Sequence, residues 1–243
     1  ACGGQEVCFQ RRHVLGRSEA SVSLRQFPEE MRRSRHEESC SLMSENLLQG
    51  CEGLADELLA RLPEPMKEDL FGLFPEALRP SRLCFIASGA GARCDLHADH
   101  FSWTGWNLLL QGRKRWRLFP NTERSTAAFG GWREPFGIWD SEGTQMLLDF
   151  AGSWNSLVDL YRVCGGQGRG GGGGEEDASL GPDLDRYPAA GLAEGGVELV
   201  QEAGELLVFP GDWWHQTYSE TETWAVCAQY LNRRNLDKVL GHV

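Results

Sequence analysis

The stretch Gly204-Glu205-Leu206-Leu207-Val208-Phe209-Pro210-Gly211-Asp212-Trp213-Trp214-His215 decides the fold. Glu205 to Phe209 reads as a strand that leaves the Ala203-Gly204 turn and stops at Pro210-Gly211. The chain then turns back and carries His215 toward the core, between Trp214 and a further strand. Val197 to Val200 and Trp224 to Tyr230 read as strands on either side, the second entered through the polar turn Ser219 to Thr223. Antiparallel strands packed this closely predict a barrel or sandwich.

Upstream, Arg82 to Ser88 is a short apolar run closed by Gly89 and Gly91. Gly105 to Leu110 and Lys114 to Phe119 are two more, and the Gln111-Gly112-Arg113 turn between them predicts a hairpin. From Glu45 to Leu62 the residues Leu47, Cys51, Leu54, Leu58 and Leu62 keep helical spacing until Pro63, which predicts one amphipathic helix packed on the core. Residues 1–44 show no sustained period and are expected to form an N-terminal arm or a leading strand laid on a main domain at 45–234. The run Gly165 to Gly174, followed by Glu175, Glu176 and Asp177, has too little apolar surface to order itself and predicts a flexible insertion at 165–178. Residues 235–243 are expected to be a short helical tail.

A chain of 243 residues with 41% hydrophobic and 10% aromatic side chains can bury one sizeable core. Its 24 basic and 35 acidic residues leave a net charge of −11, which argues against binding nucleic acid phosphates and for a cationic partner such as a basic protein segment. No run of 18 apolar residues exists and Ala1 to Gln10 lacks the pattern of a secretory signal, so no membrane span and an intracellular setting, nuclear or cytoplasmic, are expected. The eight cysteines include no C-x-x-C pair, which disfavours a zinc ribbon, and most are expected to be reduced thiols. Oligomeric state has no signature here.

The chemistry begins at Leu96-His97-Ala98-Asp99-His100. Residues two apart on a strand share a face, so His97 and Asp99 would stand side by side. His215 supplies a third ligand. Two histidines and one carboxylate on one face of an octahedron leave three positions open, the arrangement of non-haem iron(II) oxygenases; tetrahedral zinc fits this set less well. In the run Lys114 to Phe119, alternation puts Lys114 on the apolar side with Trp116 and Leu118. An ammonium facing inward needs an anion, and this region offers no acidic side chain; a co-substrate carboxylate would answer. Trp103, Trp106, Trp213 and Trp214 read as core and pocket wall rather than a cage for a methylated cation.

Taken in order, His97-Ala98-Asp99, Trp106-Asn107, Gln111-Gly112-Arg113-Lys114-Arg115-Trp116-Arg117-Leu118-Phe119-Pro120 and Pro210-Gly211-Asp212-Trp213-Trp214-His215 resemble the Jumonji C family over Asp69 to Tyr230. The likeness is closest to its arginine demethylase and lysyl hydroxylase type. It implies a mainly β chain folded as a double-stranded β-helix, a cupin-like jelly roll with flanking N-terminal helices and a short C-terminal helix. By the same resemblance His97, Asp99 and His215 form the catalytic iron(II) centre, Lys114 pairs with the distal carboxylate of 2-oxoglutarate, and Asn107 and Cys227 line that pocket. The implied reaction is hydroxylation or demethylation of Lys or Arg side chains in a basic protein. Two positions depart from the pattern. Cys227 stands where close members carry a hydroxyl, and a thiol is the weaker donor. An early-strand tyrosine has no counterpart, the nearest aromatic being Phe27. A cupin pocket that binds without turnover, or a metal cupin that does not use 2-oxoglutarate, are the alternative readings.

Overall fold

In chain order the strands of the computed structural model are β1 (Glu6–His13), β2 (Gly16–Ser23), β3 (Ser39–Ser44), β4 (Cys84–Ser88), β5 (His97–Ala98), β6 (Thr104–Gln111), β7 (Arg113–Phe119), β8 (Trp132–Trp139), β9 (Gln145–Asn155), β10 (Val197–Glu202), β11 (Leu206–Phe209), β12 (Trp214–Ser219) and β13 (Thr223–Tyr230). The helices are α1 (Phe27–Arg33), α2 (Leu54–Ala60), α3 (Glu123–Ala128) and α4 (Leu236–Leu240). The structure describes residues 2–13, 16–34, 38–48, 51, 53–76, 79–100, 103–139, 145–161 and 195–240; the glycine-rich insertion expected at 165–178 lies outside them.

Two antiparallel sheets face each other, ordered β11-β6-β13-β4-β3-β1-β2 and β10-β7-β12-β5-β9-β8. From β4 to β7 the chain crosses from one sheet to the other at each strand, and it crosses again at β11, β12 and β13. That is a jelly roll, with four barrel strands per sheet. Residues 1–44 contribute β1, β2, α1 and β3, and β3 pairs directly with β4, so this segment widens the first sheet. β8 and β9, a pair that the strand reading did not include, widen the second through β5.

The sheet assignment corrects one expectation. β6 and β7 are not a hairpin: β6 pairs with β11 and β13, whereas β7 pairs with β10 and β12. Gln111-Gly112-Arg113 is a corner between sheets. Gly112 sits at φ 89°, and a Cβ there would come within 2.0 Å of the Glu222 carbonyl oxygen, so the corner requires glycine. The helix expected over Glu45 to Leu62 is also shorter. Gly53, left-handed at φ 77°, precedes its start at Leu54, while Leu47 and Leu48 are buried in a turn.

Phe9, Phe27, Met31, Leu42, Phe85 and Val226 bury together and fix α1 against the wide first sheet. Leu96, Phe119, Phe129, Tyr161, Trp214 and Tyr218 form a second core beside the other sheet. Between the sheets the rings of Trp116 and Phe209 lie 5.4 Å apart. Cys8, Cys40, Cys84, Cys94 and Cys227 are free thiols, and Cys51 is disulfide-bonded. Among the described residues no helix is long and apolar enough to cross a membrane.

Candidate metal and co-substrate site

Strand pairing makes the metal face. β5 and β12 meet at a single register pair, His97 opposite His215, and the two rings stand 4.2 Å apart. Asp99 follows one residue beyond β5. Nδ1 of His97 donates to the Asp95 carbonyl at 2.8 Å, and Nδ1 of His215 donates to the Trp213 carbonyl at 3.0 Å. A carbonyl only accepts, so each Nδ1 carries a hydrogen and Nε2 is left to face Asp99. The two Nε2 atoms lie 3.5 Å and 4.0 Å from Asp99 Oδ1. Ligand atoms about 2.1 Å from a shared ion stand at most about 4.2 Å apart, so these separations fit a metal.

The electrostatics suit a cation at the same point. Burial opposes charge on Asp99, yet the neighbouring His215 and the hydrogen bond from His97 hold its carboxyl far below the usual range. Burial, then the charge of His97, pushes His215 down to about 4, which keeps it neutral. Burial also disfavours charge on His97, but its contacts with Asp99 and Cys94 outweigh that and raise it well above the ordinary value. His97 thus holds a proton against Asp99 where a bound cation would replace it.

One cavity of about 480 Å³ joins this face to Lys114, Asn107 and Cys227. Lys114 is 3% exposed and, among the described residues, its ammonium forms no hydrogen bond or ion pair; it lies over the Trp116 ring at 5.7 Å. Burial lowers its pKa, opposed only by the thiols of Cys227 and Cys94. A buried cation of this kind fits an anionic ligand. Asn107 is buried opposite Cys227 across β6 and β13, and its Oδ1 has no hydrogen-bond partner among the described residues. Cys227 faces Cys84 on its other side; the hydrogen bond between these thiols, reinforced by burial, raises Cys227 well above the usual range.

Other residues singled out in the sequence fall elsewhere. Phe27 packs in the core on Phe9, 5.1 Å between rings, and Phe9 is the early-strand aromatic that borders the cavity. Trp106 lines the cavity, but Trp103 and Trp214 belong to separate cores, so the tryptophans form no cage. Among the described residues His97, Asp99 and His215 are the one group placed to hold a metal, without His100 or Cys94. Two features escaped the sequence reading. Arg12 and Arg17 of the β1–β2 hairpin clamp Asp95, and Arg12 and Arg93 pair with Asp159, which ties the hairpin over the cavity mouth. Thr217 and Ser219 follow His215 on the cavity side of β12.

A jelly roll that brings two histidines and an aspartate together inside the barrel is a cupin with a candidate metal face. The chain belongs to the cupin-like domain family, whose model matches residues 8–233. It is similar to the arginine-specific demethylase JMJ22 of Arabidopsis thaliana, 26% identical over 180 residues, which are 74% of this chain and 28% of the relative. It is likewise similar to the human 2-oxoglutarate and iron-dependent oxygenase JMJD4, 25% identical over 76% of this chain and 36% of the relative. The bifunctional arginine demethylase and lysyl-hydroxylase psr-1 of Caenorhabditis elegans is 26% identical over 73% of this chain and 36% of its own length. The chain therefore spans about a third of the curated relatives it matches.

Proposed function

We propose that this chain is an iron(II)- and 2-oxoglutarate-dependent oxygenase acting on a Lys or Arg side chain of a basic protein. The observation that carries the reading is Lys114, a buried ammonium without an anion, in the cavity that also holds His97, Asp99 and His215. Iron(II) with 2-oxoglutarate supplies oxidation of an unactivated C–H bond by dioxygen. The chain's own residues do the rest. His97, Asp99 and His215 would hold the metal, with coordination positions left for other ligands. Asp95 and Trp213 hold the two imidazoles in the tautomer that turns Nε2 inward. Lys114 orients the diacid through its distal carboxylate, and Asn107 lines the same pocket.

The names of the relatives, arginine demethylase and lysyl-hydroxylase among them, support a protein substrate. Hydroxylation and N-demethylation start with the same abstraction of hydrogen from carbon and diverge by whether the product carbinol breaks down, as one on an N-methyl carbon does. The reading is tested by anaerobic loading with iron(II), addition of 2-oxoglutarate and dioxygen, and assay of succinate with a panel of basic peptides. Succinate is expected from the parent chain and is lost in His215→Ala and Lys114→Ala. If the parent yields no succinate and binds no 2-oxoglutarate, the reading is wrong. A pocket that binds without turnover is the second reading, favoured by the Cys227 thiol where a hydroxyl is expected. Binding of metal and 2-oxoglutarate without succinate would select it.

A further inference from the structure

Cys227 is a poor donor to a carboxylate, because a thiol donates weakly and its register partner across the β4–β13 pair is another thiol, Cys84. The cavity offers another donor. On β12 the cavity-facing row is His215, Thr217 and Ser219. Thr217 stands two residues beyond the metal ligand, about 6.6 Å of strand rise. A five-carbon diacid held at the metal by its 2-oxo end reaches about that far with its distal carboxylate. Lys114 reaches the same level from the neighbouring strand β7. Its backbone pairs with Ser219, but its ammonium leans over Trp116, and Trp116 is the register partner of Thr217. Thr217 Oγ1 now donates to Cys94 Sγ at 3.4 Å, a weak acceptor that a carboxylate oxygen can displace.

We propose that Thr217 donates the hydroxyl hydrogen bond to the distal carboxylate held by Lys114, in place of position 227. This rests on the 2-oxoglutarate reading above and adds a specificity-determining residue to it. The Thr217 side chain is partly open to the cavity, so its hydroxyl is accessible to a ligand there.

The test is calorimetric binding of 2-oxoglutarate to the manganese(II)-loaded chain without dioxygen, so that activity is not the readout. Thr217→Val keeps the shape and loses the hydroxyl; its Kd is expected to rise about tenfold or more, as for loss of a hydrogen bond to a charged group. Thr217→Ser restores the hydroxyl and is expected to recover most of the affinity. Cys227→Ala is expected to change Kd by less than about threefold, since it removes only a weak donor. Manganese affinity and circular dichroism of Thr217→Val should match the parent, which excludes a folding defect. The proposal is overturned if Thr217→Val binds as the parent does while Lys114→Met does not bind, or if Cys227→Ala loses more affinity than Thr217→Val. Failure of the parent chain itself to bind 2-oxoglutarate would instead remove the oxygenase reading and this proposal with it.

Discussion

Lys114, to which the proposed function gives the co-substrate carboxylate, is held against the interest of the fold. Its pKa is lowered on folding because burial disfavours the ammonium, and no carboxylate among the described residues compensates. Between the folded value and the unfolded 10.5 the unfolded chain binds more protons, so stability rises with pH across that window. Below the folded value the cost is borne in full. Lys114→Met should therefore stabilise the ligand-free chain by about 1 to 3 kcal/mol at neutral pH, while abolishing 2-oxoglutarate binding. Urea denaturation of both forms measures this, and the gap should close as pH approaches 10.5. Equal stability at pH 7 would mean that the ammonium reaches water. This residue was legible in the sequence because alternation alone put it on the side of Trp116. The spacing His97-x-Asp99 was legible for the same reason, although β5 is only two residues long and Asp99 lies past its end. Thr217 was not legible, since its importance depends on which barrel level Lys114 reaches.

Elements were easier to find than to pair. The runs that became β4, β6, β7, β10, β11 and β13 stand out by composition, but a jelly roll and a hairpin meander use the same strands and differ in what each strand faces. Gln111-Gly112-Arg113 has the local chemistry of a hairpin turn, and only the long-range partners β11, β12 and β13 show that it is a corner. The helix boundary was misread for a related reason: apolar spacing continues through Leu47 and Cys51, yet the left-handed Gly53 starts the helix later. The corner gives a test. Gly112→Ala must adopt φ near 89° and meet the Glu222 carbonyl oxygen at 2.0 Å, so it should lose about 2 to 4 kcal/mol. The same substitution at Gly130, also left-handed at φ 56° but with open space around its Cβ, should lose only the conformational part, about 1 to 2 kcal/mol. Equal losses at the two sites would show that the corner can open without disturbing the β12–β13 turn.

At the scale of the whole molecule, the proposed basic substrate turns on charge. The net charge is −11, yet the mouth carries Arg12, Arg17 and Arg93, which taken alone would repel a basic substrate. They are not alone: Asp95 holds Arg12 and Arg17, and Asp159 holds Arg12 and Arg93. Glu19, which also lines the mouth, makes no ion pair among the described residues and adds to the negative field. Asp95 and Asp159 offset two of the three guanidinium charges and Glu19 the third, so on the proposed reading a near-neutral mouth leaves the net negative surface to steer cations inward. Turnover on Lys- or Arg-rich peptides should then fall as salt rises from 50 to 300 mM, because exposed charges are screened within about 8 to 10 Å. The loss should appear in kcat/KM and leave kcat nearly unchanged, since steering acts on encounter and not on the bound complex. Glu19→Gln should reproduce part of that loss, while Asp95→Asn should also weaken metal binding, because it releases the hairpin from the residue whose carbonyl orients His97. Acidic peptides of equal length turned over as fast as basic ones, with the same salt response, would show that the global charge has no part in choosing the substrate.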